Sequence, residues 1–202
     1  MSHYYDEQPD VASDIQTFDY HYDDQSITLQ TDAGVFSKGK IDFGSDLLVR
    51  TFLKQNPPGP VKTIADVGCG YGPIGLMIAK MEPHNHVDML DVNLRALKLA
   101  RHNAKSNRID NVSIIESDGF DQVDDQQYDY VLTNPPIRAG KETVHRIFEE
   151  AHHHLKQNGV LYVVIQKKQG MPSAKEKMRA LFDNVEVLEK SKGYYILRSS
   201  KG

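Results

Sequence analysis

Between residues 63 and 182 the apolar rhythm of the chain alternates between short strand-like runs and helical stripes, and this alternation limits the available folds more than any other feature. TIADV (63–67) has the character of a buried strand, IGLMIAKM (74–81) of a helix, HVDMLD (86–91) of a strand, and LRALKLARHNAKSN (94–107) of an amphipathic helix capped by Asn93. VSIIES (112–117) and YDYVLT (128–133) read as strands, and KETVHRIFEEAHHHLKQ (141–157) as a long helix ended by Asn158-Gly159. VLYVVIQ (160–166) is the most apolar strand, and SAKEKMRALF (173–182) is a helix. Right-handed crossovers place such helices on both faces of a parallel sheet. The tail departs from this pattern. VEVLEK and YYILRS are separated only by Ser191-Lys192-Gly193, too short for a crossover, so they should be antiparallel. The expected fold is α/β: a mostly parallel seven-stranded sheet with helices on both faces and a C-terminal antiparallel hairpin.

The segment before this unit has a different character. Residues 1–25 are polar and suit a loose arm with at most one short strand. SITLQT, the turn Asp32-Ala33-Gly34 and VFS suggest a small hairpin, and GKIDFGSDLLVRTFLKQ a helix with Ser45 as its cap and Leu47, Leu48, Phe52 and Leu53 as its apolar stripe. Pro57-Pro58-Gly59-Pro60 stops that helix and divides the chain into an N-terminal extension, 1–59, and a main domain, 60–202.

With 202 residues, 39% of them hydrophobic, one core is the expectation, and no run is apolar enough to span a membrane. The acidic, polar N-terminus lacks the pattern of a signal peptide, so a cytoplasmic protein, monomeric by slight preference, is expected. Cys69, the single cysteine, reads as a small packing residue. A net charge of -4 is not that of a typical nucleic-acid binder, which leaves local basic patches for such a role: Arg138 with Lys141, Lys167 with Lys168, and Lys38 with Lys40. His152, His153 and His154 point in different directions on a helix and read as solvated surface. His84 and His86 flank a turn with no cysteine partner or carboxylate at ligand spacing, so no metal is expected.

Chemistry concentrates at two junctions. TIADVGCGYG runs an apolar strand into a loop with Gly68, Gly70 and Gly72 and then a helix, an arrangement that lets a ligand approach the backbone and a helix N-terminus. GYGPIG also satisfies the dinucleotide pattern G-x-G-x-x-G, with Asp91 about 20 residues on. Asp66 favours another ligand, because a carboxylate is a poor neighbour for pyrophosphate but a good one for a sulfonium carrying an ammonium group. Counted from the strand end the first glycine is Gly68, which puts Pro73 where the third dinucleotide glycine belongs. Asp91 and Asp118 end the next two strands, where carboxylates project into the crevice of an open α/β sheet. At the second junction YDYVLT delivers Asn134, Pro135, Pro136 and Ile137. Two prolines remove backbone donors and leave carbonyl oxygens free to accept, which suits an amino substrate whose weak, conjugated nitrogen must be positioned.

DVGCGYG, LDVN, SDGF and NPPI, in this order and spacing, resemble the class I S-adenosylmethionine-dependent methyltransferases, with their Rossmann-like fold, across residues 60–200. The resemblance implies that Asp66, Gly68, Cys69, Gly70 and Gly72 surround the methionine part of S-adenosylmethionine. It also implies that Asp91, with Val92, holds the ribose, and that Asp118 and Gly119 flank the adenine. NPPI resembles the signature of amino-methyltransferases, which act on adenine N6, cytosine N4, guanine N2 or a glutamine amide, and so makes Asn134, Pro135, Pro136 and Ile137 the catalytic segment. Ile137 stands where that signature usually has an aromatic residue, leaving Phe36, Phe43 or Tyr71 as substitutes. GVFSKGKIDFGSDLLV, DVGCGYGPIG and NPPIRAGK together look like the small-subunit ribosomal RNA guanine-N2 methyltransferases of type C, over about residues 26–200. That likeness implies that residues 36–45 lie over the cofactor pocket as part of the active site and that a guanine of ribosomal RNA presents its amine to Asn134; Phe36, Phe43, Arg138, Lys141 and Lys167 are the candidate substrate contacts. The rivals are a release-factor glutamine methyltransferase, a module that binds S-adenosylmethionine or RNA without turnover, and a dehydrogenase.

Overall fold

A computed structural model describes residues 12–33 and 39–202. Nine strands and five α-helices are present among them: β1 (Gln16–Tyr22), β2 (Gln25–Thr31), α1 (Phe43–Gln55), β3 (Thr63–Val67), α2 (Pro73–Met81), β4 (His86–Asp91), α3 (Leu94–Ser106), β5 (Val112–Glu116), β6 (Tyr128–Thr133), α4 (Lys141–His154), β7 (Leu155–Gln166), α5 (Met171–Phe182), β8 (Glu186–Ser191) and β9 (Tyr194–Ser200). Seven strands form one sheet in the order β5-β4-β3-β6-β7-β9-β8. Pairs from β5 through β7 are parallel, and β9 runs antiparallel to both β7 and β8, as the short final connection requires. After β3 the chain builds outward through β4 and β5, then returns to place β6 on the other side of β3. The carboxyl ends of β3 and β6 therefore flank the topological switch point, where open α/β sheets bind ligands.

Alternation along each strand feeds two cores. Ile64 of β3 joins Leu48, Phe52, Leu76, Met77 and Leu97 on the face covered by α1, α2 and α3, while Ala65 and Val67 join Ile147, Phe148 and Met178 beneath α4 and α5.

The structure changes several expected boundaries. The N-terminal hairpin is β1 with β2, joined through Asp23 and Asp24, and Asp23 adopts φ +48, a left-handed conformation that aspartate tolerates. β2 thus finds its partner upstream; VFS, with Phe36 and Lys38, lies outside the described residues. Helix α1 is capped by Asp42, whose Oδ2 accepts the Ser45 N–H at 2.9 Å, so Ser45 is inside the helix and not its cap. Helix α4 ends at His154, three residues early, because the buried Leu155 turns to extended backbone and pairs with Tyr128 at the start of β7. His154 is not solvated: it is buried, stacks on Phe120 with ring centroids 4.7 Å apart, and its Nδ1 lies 3.0 Å from the Gln126 carbonyl oxygen.

Two asparagines one turn apart on the hairpin side of α3 hold β2 as a neighbouring strand would. Asn107 pairs with both backbone groups of Thr28, and Asn103 with both of Gln30. The Asn103 amide also donates to the Tyr71 carbonyl at 2.9 Å, tying the hairpin to the glycine loop.

Candidate active site

Three glycines in the loop after β3 take positive φ: +74 at Gly68, +58 at Gly70 and +102 at Gly72. This left-handed backbone folds the loop back over the sheet edge, where Gly68 and Cys69 both donate to the Leu90 carbonyl. Asp91, buried at the end of β4, fixes the turn from below by accepting the Gly70 N–H at 2.7 Å with one oxygen and the Asn93 N–H at 2.9 Å with the other. Asp66 accepts the Gly75 N–H at 3.0 Å, an approach that a side chain at residue 75 would obstruct, since its Cβ would sit 2.9 Å from Asp66 Oδ2. The other Asp66 oxygen is buried with no hydrogen-bond partner among the described residues. Burial, together with the neighbouring Asp91 charge, pushes the Asp66 carboxyl up to about 7, against the pull of the Gly75 N–H. Burial also raises the Cys69 thiol, in keeping with a packing residue.

At the second junction Thr133 Oγ1 donates to the Val67 carbonyl at 2.9 Å, locking the ends of β6 and β3 together. Asn134 follows. Its amide N–H₂ donates to Asp42 Oδ2 at 3.1 Å and to Ser45 Oγ at 3.0 Å, which leaves Oδ1 as the end of the side chain open to a donor. The Pro136 carbonyl accepts the Ala139 N–H at 2.9 Å in a short 3-10 turn, whereas no donor among the described residues engages the Pro135 carbonyl.

Both junctions open into one cavity of about 620 Å³. Gly68, Cys69, Gly70 and Tyr71 line one side of it, and Asn134 through Ala139 another. Asp42 and Ser45, from the segment expected to cover the cofactor, also line it, as do Gln166 and Tyr194, which no sequence motif marked as site residues. Tyr194 enters from β9 and packs on Phe43 with ring centroids 5.5 Å apart, so an aromatic face stands in the wall although Ile137 supplies none. Its place there depends on the β7–β9 pairing that sets Tyr194 opposite Gln166, which local sequence does not encode.

Other expected site residues stand elsewhere. Asp66, Gly72, Asp91, Val92, Asp118, Gly119, Phe43, Lys141 and Lys167 are not on the cavity wall. Gly72 starts α2 with a left-handed φ, and a Cβ there would crowd Leu76 and Met89. Asp118 is exposed and paired with Arg146 at 2.6 Å. Phe43 packs behind Tyr194, with the Lys192 ammonium 4.7 Å from its ring centre, while Lys141 and Lys167 are exposed beyond the cavity. Arg138 is the one cationic residue of the lining among the described residues.

Such a site suits a cationic ligand. Two buried carboxylates sit side by side beneath the loop, one with an oxygen lacking a partner among the described residues, and a ligand bearing an ammonium and a sulfonium would relieve both the repulsion and the unsatisfied acceptor. A pyrophosphate would add to the repulsion.

The fold and this crevice are those of an α/β methyltransferase. Residues 26–198 match the methyltransferase small domain family, and the chain belongs to that family of S-adenosylmethionine-dependent methyltransferases. It is 50% identical over 200 residues to the Bacillus subtilis protein YbxB, covering 98% of each chain. To the ribosomal RNA small subunit methyltransferase C of Vibrio cholerae it is 29% identical over 196 residues, covering 95% of this chain and 55% of that protein. Among solved structures, the T. thermophilus 16S rRNA N2 methyltransferase, in complex with AdoMet and guanosine, superposes with a TM-score of 0.85 at 22% identity, over 96% of this chain and 52% of that one. The chain thus spans about half the length of these two rRNA methyltransferases.

Proposed function

We propose that this S-adenosylmethionine-dependent methyltransferase acts on the exocyclic N2 amine of a guanine in small-subunit ribosomal RNA. Asn134 carries the assignment. Its N–H₂ is engaged by Asp42 and Ser45, so its Oδ1 and the Pro135 carbonyl are two neutral acceptors at the cavity wall near the glycine loop. Two such acceptors hold the hydrogens of an amino group and draw its lone pair out of conjugation, and a neutral site avoids the cost of burying a strong base. S-adenosylmethionine supplies a methyl carbon on a sulfonium sulfur, which keeps the electron pair of the breaking S–C bond. The guanine lone pair forms the new N–C bond, and the extra proton leaves to water. Asp66 and Asp91 would hold the cofactor, the first through the oxygen that has no partner among the described residues, facing the ammonium, and the second at the ribose. Asp118 and Gly119 border its adenine end. Arg138 in the wall, and the exposed Lys141 and Lys167 beyond it, are the basic side chains that would meet phosphates, and Tyr194 would offer its ring to a flat base.

Relatives named as ribosomal RNA small subunit methyltransferases and the T. thermophilus complex with guanosine support the acceptor. The test is transfer of a labelled methyl group from S-adenosylmethionine to ribosomal RNA from a strain lacking the protein, with translation release factor offered in parallel. Label in N2-methylguanine is expected. Label only in release-factor glutamine, or none in either, would overturn the assignment.

A further inference from the structure

Asp42 is a group in the cavity wall that the chemistry above does not explain. Its Oδ2 is fully occupied, accepting from the Ser45 N–H at 2.9 Å and from the Asn134 amide at 3.1 Å. Its Oδ1 is buried and has no hydrogen-bond partner among the described residues. A carboxylate oxygen shielded from water without a donor is costly, and the cost is removed only by a ligand that brings one. The Ser45 and Asn134 contacts prevent the carboxylate from turning Oδ1 elsewhere. Asp42 and Asn134 share a hydrogen bond and line the same cavity, so the open acceptor of Asp42 lies beside the amide that receives the reacting amine.

We propose that Asp42 is the specificity-determining residue of this site: its Oδ1 accepts the ring N–H adjacent to the reacting amino group while Asn134 Oδ1 accepts the amine. This rests on the amino-acceptor reading of Asn134 given above and goes beyond it by naming the edge that is read. Guanine presents N1–H next to its N2 amine, two donors side by side. Adenine and cytosine present a ring lone pair next to theirs, which would face the Asp42 oxygen with no proton between them. A glutamine amide has no neighbouring N–H at all. A site built around a hydrogen bond rejects analogues that lack it far more strongly than an apolar pocket rejects a change of shape, commonly by about 10²-fold or more. The negative charge has a second consequence. An anionic acceptor on N1–H polarises the base toward its N1 anion and returns electron density to N2, the nucleophile.

Because two donors pin Oδ2, the substitution Asp42→Asn has a directional outcome. The oxygen of the introduced amide must stay on Ser45 and Asn134, which places its N–H₂ at the former Oδ1 position, and asparagine preserves the helix cap. The probes are guanosine and 2-aminopurine riboside, which keeps the exocyclic amine but has a lone pair at N1. Each is titrated by NMR against the protein saturated with S-adenosylhomocysteine. The parent protein should prefer guanosine by at least about 10-fold, and Asp42→Asn should reverse the preference, with S-adenosylhomocysteine affinity unchanged. Asp42→Ser, which also caps the helix but offers no fixed acceptor or donor to the base, should bring the two nucleosides to near equality. A parent protein that binds both alike, or an Asp42→Asn protein that still prefers guanosine, would overturn the role of Asp42 and leave the N-methyltransferase reading standing. Failure of the parent protein to bind either nucleoside would instead count against the guanine acceptor itself.

Discussion

The exits of β3 and β6 face the same crevice, yet they are made of opposite materials. Below the β3 exit lie two buried carboxylates, Asp66 and Asp91, whose oxygens accept backbone N–H groups of the loop and of α2. At the β6 exit a side-chain amide and a proline carbonyl present neutral oxygen, with one carboxylate, Asp42, hydrogen-bonded to the amide in the same wall. On the proposed function, charge is tolerable at the first because a cation would be held there, while the second would handle a neutral amine, for which uncharged, preorganised acceptors avoid a large cost of burial.

Replacing groups at each exit should therefore separate binding from transfer. The largest effect is expected for Asn134→Ala, which should lower the rate of methyl transfer to undermethylated ribosomal RNA by at least about 10²-fold. Calorimetry should show its affinity for S-adenosylmethionine within about 2-fold of the parent, since the change removes no cofactor contact. Asp91→Ala should do the reverse, weakening S-adenosylmethionine by about 10- to 100-fold, because it removes a charged acceptor and releases the Gly70 N–H. An Asp91 variant that binds the cofactor normally while failing in transfer would exchange the two roles.

Asp66 sharpens the comparison through pH. Its carboxyl, held at about 7 by burial, carries a proton in the folded chain over the interval from 3.8 to about 7, where the unfolded chain has lost it. Stability from this group is therefore complete below the lower value and falls as pH rises toward the upper one. A bound cation favours the ionised form, so S-adenosylmethionine should bind more tightly as pH rises from about 6 to about 8, releasing a proton. Asp66→Asn should flatten both profiles, measured by thermal melts and by calorimetry in buffers of different ionisation heat. A binding profile equally steep in the variant would place the titrating group elsewhere.

The smallest effect on chemistry is expected from Asn103→Ala; Asn103 touches the glycine loop only through the Tyr71 carbonyl and does not line the cavity. It strips partners from both backbone groups of Gln30 and from the Tyr71 carbonyl, and should cost about 2–4 kcal/mol of stability in denaturant titrations. With the protein kept folded, methyl transfer should change by less than about 3-fold.

The main sheet was legible because each of its strands carries its own signal. β3, β4 and β6 begin and end where their apolar runs do, and Asn93 caps α3 through the Ala96 N–H as its position implied. The α4–β7 boundary was obscured because LKQ continues a helical pattern, and only pairing with Tyr128 turns Leu155 into strand. The first hairpin was misplaced because its turn is Asp23-Asp24, with no glycine to announce it, and its outer edge is satisfied by asparagines about 75 residues away in sequence. His154 looked solvated for a similar reason, since its stacking partner Phe120 comes from a distant loop.

The sequence by itself determined what depends on neighbours along the chain: the strand and helix periods, the glycine loop, the acids at strand ends and the NPPI turn. Those features follow from local backbone sterics and apolar spacing, which a linear string records. Tertiary structure alone decided that Asp42 and Ser45 meet Asn134, that Tyr194 enters the same wall, and that Asp118 turns to Arg146. Such contacts arise where crossovers and sheet register bring remote residues together, and a hydrogen bond between side chains 92 positions apart leaves no periodic trace.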